Sequence, residues 1–235
     1  MPRIIHFPGM SQNREFIDNI IKYTSDINFI NISQDQLKYN IVTCFTPNLN
    51  REELLLVNQL ESLGISYINA WDFTDDIVGE WKHINKLIAY KNYLDIKGGD
   101  KKYTLFLDAK DVLLLSLDIL TPSKYYRSAK MLFNGDKSDF PNMYGKNTIK
   151  SNYPVYLNAG VCLCENEYAL GIFNRAIDLS LQTEYDILRV DDQALLRELW
   201  KQEENHIKVD EECKMGQNIN GLNELIVVGN NLIIK

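Results

Sequence analysis

Two carboxylates three residues apart, Asp108 and Asp111, stand at the end of an apolar run, Leu105-Phe106-Leu107. On a straight strand, residues three apart face opposite sides, so a turn is needed to bring both acids to one point. Gathered there, hard oxygen donors suit Mg²⁺ or Mn²⁺, and such an ion can bridge the oxygens of a diphosphate. The same spacing also describes an ordinary strand-to-helix junction with an aspartate N-cap. Other features must decide between the two.

The elements that would position these acids alternate in type. Strand patterns are read at residues 3–7, 28–32, 41–45, 65–68, at Tyr103–Leu107, and at 131–133, 156–164 and 206–209. Helical stripes fall between them. Asn13 offers an N-cap before Phe16, Ile17, Ile20 and Ile21, and Asn50 precedes a helix with Glu52 and Glu53 in its first turn and Gly64 past its end. Residues 81–94, 167–179 and 192–200 complete the helical set. Residues 225–234 read as a hairpin turning at Gly229, Asn230 and Asn231. Strands separated by helical crossovers imply an α/β fold with a mostly parallel sheet, whose ligands bind beyond the carboxyl ends of the strands.

Composition narrows the classes. The chain has 235 residues, enough for one domain with a sizeable core, so we expect a single domain over residues 1–235. Its formal charge of −7 argues against nucleic acid as a partner but not against a phosphate ligand beside a cation. No run is long and apolar enough to span a membrane, and the first ten residues lack a signal-peptide core, so a cytoplasmic or viral or microbial intracellular setting is expected. Cys44, Cys162, Cys164 and Cys213 have no framework spacing and are expected as reduced thiols. Cys162 and Cys164 share one strand face and read as small buried side chains rather than half a metal site.

The acidic loop, read with its neighbours, resembles the donor-binding loop of GT-A-type glycosyltransferases, and more specifically the glycosyltransferase domain of procollagen lysyl hydroxylases and the related collagen glycosyltransferases. The motifs run in family order. Residues 41–46, IVTCFT, look like the first nucleotide-binding strand, and Gly79-Glu80-Trp81-Lys82 like the segment before the acidic loop. Residues 131–136, MLFNGD, with Phe140-Pro141, look like "LLFSAE…WP". Tyr156-Leu157-Asn158-Ala159-Gly160 resembles "FLNSG", Asp191-Asp192-Gln193 resembles "DDQ", and Val209-Asp210 with residues 217–221, QNING, resembles "LD…FQNLNG". The match covers the chain from about Tyr39; residues 1–38 fall outside it and are expected to form an added β-α-β segment or a contact surface for a partner.

The resemblance implies a GT-A-like, Rossmann-type sheet flanked by helices, with a C-terminal β-hairpin, and transfer of glucose or galactose from a UDP-sugar to a hydroxyl acceptor, a glycan or a hydroxylysine-like group. It makes Asp108 and Asp111 ligands of Mn²⁺ or Mg²⁺ against the UDP diphosphate. Thr43 and Thr46 fall in the loop that receives the nucleotide, where their hydroxyls bind uridine or phosphate, or else local backbone. Trp81 borders the nucleotide or packs locally. Asn158 would meet sugar hydroxyls, and Gly160 would admit a ligand close to the backbone or mark a bulge. Of Asp191 and Asp192, one can cap the following helix while the other acts as a base or stabilises positive charge, and the spacing does not choose. Asp139 is a weaker candidate for acceptor contact, and Lys82 and Lys110 read as solvated.

One departure matters. The family's third metal ligand is a histidine beyond "QNLNG", and no histidine follows His206 here. His206 and His83 sit elsewhere in the pattern, which leaves two recognisable protein ligands. An active variant, a truncated module and a nucleotide-sugar or glycan-binding module without catalysis are all open on this reading.

Overall fold

A computed structural model describes residues 3–8, 37–74, 81–98, 100–120, 126, 128–141, 151–219, 225–228 and 231–234. The helix expected after Asn13 and the strand expected at 28–32 lie outside the described residues.

Among the described residues, nine strands form one sheet: β1 Ile4–His6, β2 Tyr39–Thr43, β3 Ile68–Asn69, β4 Tyr103–Leu107, β5 Val112–Leu114, β6 Met131–Asp136, β7 Tyr156–Glu165, β8 Ile207–Asp210 and β9 Gly216–Asn218. Their order is β3-β2-β4-β7-β6-β9-β1-β5, with β8 also paired to β6. Five of the eight pairings are parallel, which makes the fold α/β and mostly parallel. A separate antiparallel hairpin, β10 Leu225–Val228 and β11 Asn231–Ile234, forms where the turn residues predicted one.

The sheet cannot be flat. Four residues link β4 to β5, a reach of at most about 18 Å. Four strands separate the two in the sheet order, about 24 Å at the usual strand spacing. The sheet therefore curls, bringing β1 and β5 round to the acidic loop that leaves β4. This closure assembles the site.

Side chains alternate across β4. Leu105 and Leu107 enter one core with Leu56 and Leu60 of helix α1 (Leu55–Ser62) and with Ile4, Val112 and Leu114. Phe106 enters the other, against Tyr90 of α2 (Ile84–Lys97) and Phe173 of α3 (Asn166–Gln182), with ring centroids at 4.2 and 5.6 Å. Full burial of an aromatic of this size contributes roughly 1.5–3 kcal/mol. Cys44, Cys162 and Cys164 are buried in this second core as free thiols, as their spacing implied. The short α4 (Asp186–Val190) and α5 (Asp192–Gln202) cover the same face.

Local differences from expectation have simple causes. Asn50 accepts from Glu52 N and caps a 3₁₀ turn, Arg51–Glu53, rather than α1 directly. Gly64 closes α1 at φ 65°, a conformation that favours glycine. Of the expected strand at 65–68 only Ile68 pairs, together with Asn69, and Asn69 then ends the strand by accepting from Trp71 N and starting a second 3₁₀ turn, Ala70–Phe73. Strands β5 and β9 were not anticipated: each is three residues long, β5 follows the acidic loop directly and β9 is the polar Gly216-Gln217-Asn218, which shows no apolar alternation.

Candidate metal centre

The carboxyl end of β4 carries Asp108, and the chain turns at once so that Asp111 immediately precedes β5. Two backbone bonds hold that turn: Asp108 N donates to Gly160 O at 2.9 Å, and Phe7 N donates to Asp111 O at 2.8 Å. The second bond comes from the residue after β1. Register pairs His6 with Val112 on one side and with Asn218 on the other, so the imidazole stands beside the acidic loop. Ligand atoms of His6, Asp108 and Asp111 all lie within 4.8 Å of one another. His6 Nε2 is 3.4 Å from Asp111 Oδ1 and 3.7 Å from Asp108 Oδ2.

This donor set fits a divalent cation. It combines one imidazole nitrogen with carboxylates from both aspartates, and the ring is held from behind. A Cβ at Gly160 would fall 2.2 Å from His6 Cε1, so the ring fills that space. Its Nδ1 lies 3.0 Å from Asn218 Oδ1. Burial opposes charge on His6, yet the Asp111 and Asp108 carboxylates outweigh it and raise the imidazole pKa above its ordinary value.

Asp108 has a second neighbour. Lys86, on the inward side of α2, lies with Nζ 2.8 Å from Asp108 Oδ1 and 2.8 Å from Asp192 Oδ2. The lysine is only 7% exposed and Asp192 is 3% exposed. Burial alone would drive the lysine neutral; Asp108 and Asp192 instead hold the Lys86 pKa well above its usual value. In return Lys86, followed by His6, outweighs desolvation and keeps the partly exposed Asp108 carboxyl below the ordinary range.

The two adjacent aspartates divide their work. Asp191 Oδ1 accepts from Ala194 N at 2.8 Å and caps α5, while Asp192 turns inward to Lys86. Burial, and then the charge of Asp192, raise the Asp191 pKa above the usual carboxylate value. Gln193 donates to Phe140 O and accepts from Ala159 N at 2.9 Å, tying β7 to the loop after β6.

Asn158 is buried. Its Oδ1 accepts from Gly160 N at 2.8 Å and its Nδ2 donates to Asp136 Oδ2 at 3.3 Å, so much of its amide is engaged within the protein. Thr43 is fully buried and its Oγ1 has no hydrogen-bond partner among the described residues. Thr46 and Trp81 are more open, Trp81 at 40% exposure with its ring centroid 5.3 Å from that of Trp71. Asp139 is paired with the buried Arg197 at 2.9 Å. Lys110 pairs with Glu53 at the surface. Asp210 accepts from Lys214 N, Met215 N and Gly216 N, a turn-building role.

No family model matches the chain, and no curated protein matches it significantly. Among solved structures it is similar to a glycosyltransferase involved in the glycosylation of the major capsid of PBCV-1, at 12% identity over 74% of this chain and 81% of that one, with a TM-score of 0.45. It is also similar to 4-diphosphocytidyl-2C-methyl-D-erythritol synthase from Anaerococcus prevotii, at 13% identity over 80% and 73% of the two chains, TM-score 0.38. A third is A197 from STIV, at 13% identity over 56% and 66%, TM-score 0.35. Likeness this distant carries no argument about chemistry, which is read from the residues themselves.

Two site residues escaped the sequence reading. His6 ends a short apolar strand just before Phe7-Pro8-Gly9, and the carboxyl end of a strand is where α/β sheets place ligands; that was the available signal. Lys86 sits one turn before Tyr90 on the buried side of α2, an ionisable residue where the helix pattern calls for an apolar one.

Among the described residues, no helix is long and apolar enough to cross a membrane.

Proposed function

We propose that the chain is a metal-dependent glycosyltransferase that moves a hexose, glucose or galactose, from a UDP-sugar to a hydroxyl acceptor such as a glycan or a hydroxylysine-like group. The observation that carries this reading is the convergence of His6, Asp108 and Asp111 beside the Lys86–Asp192 pair. His6, Asp108 and Asp111 would hold the ion, and an imidazole with two carboxylates suits Mn²⁺ better than Mg²⁺, which prefers oxygen alone. Bound there, the cation supplies positive charge to the diphosphate of a leaving UDP.

The remaining roles fall to the chain's own groups. Lys86 keeps Asp108 ionised and orients Asp192. Asp191 has Oδ1 committed to its helix cap, which leaves Oδ2 to take the proton of an acceptor hydroxyl, and its raised pKa suits a base. Asn158 supports the strand that carries Gly160. Thr46 and Trp81 would border the nucleotide, and the buried Thr43 ends the strand that leads to Thr46.

The test is a calorimetric titration of UDP with and without Mn²⁺, on wild type and Asp111→Ala, followed by assay of UDP-glucose and UDP-galactose turnover. Metal-dependent binding that weakens at least about tenfold in the variant is expected. Folded wild-type protein that binds no UDP would sink the proposal. A nucleotide-sugar or glycan-binding module without catalysis is the second reading, favoured by the engagement of Asn158 and Asp192 within the protein. His6 weighs against it, and binding without turnover would bring it back.

A further inference from the structure

His6 can serve as a ligand through Nε2 only if its proton sits on the other nitrogen, and the groups behind the ring bear on which nitrogen that is. Asp136, the last residue of β6, receives four donors. Its Oδ1 accepts from Ser138 N at 2.9 Å and Ser138 Oγ at 3.0 Å, and its Oδ2 accepts from Asn158 Nδ2 at 3.3 Å and Asn218 Nδ2 at 3.1 Å. A carboxylate so placed only accepts, so Asn218 must turn its NH₂ toward Asp136 and its carbonyl oxygen toward His6. That oxygen cannot donate. The hydrogen bond of 3.0 Å between His6 Nδ1 and Asn218 Oδ1 therefore requires Nδ1–H. The amide of Asn134 meets the same oxygen, and its other orientation would give its NH₂ to the Val161 and Asn158 carbonyls. Asp136, the charged partner, decides for the orientation in which Asn218 Oδ1 accepts.

We propose that Asn218 is a positioning residue that holds the His6 proton on Nδ1 and so presents Nε2 as a ligand atom to the site of Asp108 and Asp111. The inference rests on reading that triad as a metal centre. His6 is 3% exposed and Asn218 is 6% exposed, so water does not compete freely for the bond. Gly160 leaves no room for the ring to swing away. The chain Asp136–Asn218–His6 is thus an outer shell of the kind that fixes a ligating imidazole's tautomer and orientation.

The experiment uses the full chain loaded with diamagnetic Zn²⁺ and long-range ¹H–¹⁵N NMR of the His6 ring, together with calorimetric Mn²⁺ affinities. The expected spectrum has a protonated Nδ1 and a metal-shifted Nε2. Asn218→Leu is expected to weaken Mn²⁺ binding about 10- to 100-fold, and Asn218→Gln, which keeps both an acceptor for Nδ1–H and an NH₂ for Asp136, to recover part of it. A metal-bound Nδ1 in wild type, or unchanged Mn²⁺ affinity in folded Asn218→Leu, would overturn the role of Asn218 while leaving the metal centre intact. Should the leucine variant fail to fold, the wild-type spectrum alone decides. Wild-type protein that binds neither ion would overturn the metal reading and this inference with it.

Discussion

The backbone of Gly160 and the imidazole of His6 share a space too small for one more carbon: a Cβ at position 160 would stand 2.2 Å from Cε1, 2.6 Å from Nε2 and 2.7 Å from Nδ1 of the ring. The ring cannot retreat, because Nδ1 is bonded to Asn218 and the backbone on either side of it is tied into β5 and β9. Gly160→Ala is therefore expected to displace the imidazole, destabilising the fold by about 1–3 kcal/mol and weakening Mn²⁺ binding at least about tenfold. A urea titration and a metal titration on the same variant check both. Wild-type affinity in this variant would mean that His6 is not a ligand.

Lys86 makes a separate prediction. It pairs with the buried Asp192 and the partly exposed Asp108, and removing one partner of such a set leaves uncompensated charge at the edge of the core. Lys86→Met is expected to cost about 3–5 kcal/mol of stability, read as a lower urea midpoint. Because Asp108 and Asp192 then lack their counter-ion, Mn²⁺ should raise the variant's melting temperature more than it raises the wild type's. An equal shift in both proteins would separate Lys86 from the metal centre.

How much of this was legible beforehand follows from which features repeat along the chain and which do not. The run Leu105-Phe106-Leu107 before Asp108 marked β4 to the residue, since alternation and an abrupt polar stop are local signals. The helix near Leu87 and the hairpin at 225–234 were legible for the same reason. His6 and Lys86 were not, because their meaning lies in closure of the sheet. His6 lies about a hundred residues from Asp108 in sequence, and it reaches the acids only through a curl that no window of residues encodes. Asp191 and Asp192 show the boundary between the two cases. The sequence offered one cap and one carboxylate facing the sugar without ranking them; in the structure Asp191 caps α5 and Asp192 turns to Lys86.

The acidity of the centre predicts how metal-free protein responds to pH. Burial, the largest influence on His6, opposes its charge, but Asp111 and Asp108 raise its pKa above the unfolded value near 6.5. The native state thus binds that proton more tightly, and the stabilisation is complete below pH of about 6.5 and is lost as pH rises through the folded value. Asp108 acts in the opposite sense. Its folded pKa is depressed despite burial, by Lys86 first and then His6, so its contribution is present above the unfolded value of 3.8 and is lost as pH falls through the folded value. With chelator present, the urea midpoint should therefore decline as pH rises above about 6.5 and through the raised folded value. Excess Mn²⁺ should reverse that decline, since metal and proton compete for Nε2. A metal-free profile that is the same in wild type and His6→Gln would refute the assignment.

Thiol chemistry offers a probe that needs no ligand. Burial pushes the Cys44 thiol up to about 12, and it pushes Cys162 well above its usual value. At pH of about 8 a thiol with that pKa is ionised in roughly one molecule in ten thousand, against about a quarter for an unperturbed cysteine. Cys164 is buried as well, while Cys213 is partly exposed in a turn at φ 52°. A thiol reagent should accordingly label Cys213 quickly and the other three only as the protein unfolds, and Cys213→Ser should remove the fast phase. Cys44 feels the charges of Lys86, Asp108 and Asp192, so its labelling reports opening of the centre itself. Mn²⁺ should slow that reaction while leaving Cys213 unchanged, and rapid labelling of Cys44 that Mn²⁺ does not alter would show that this part of the core opens without disturbing the metal ligands.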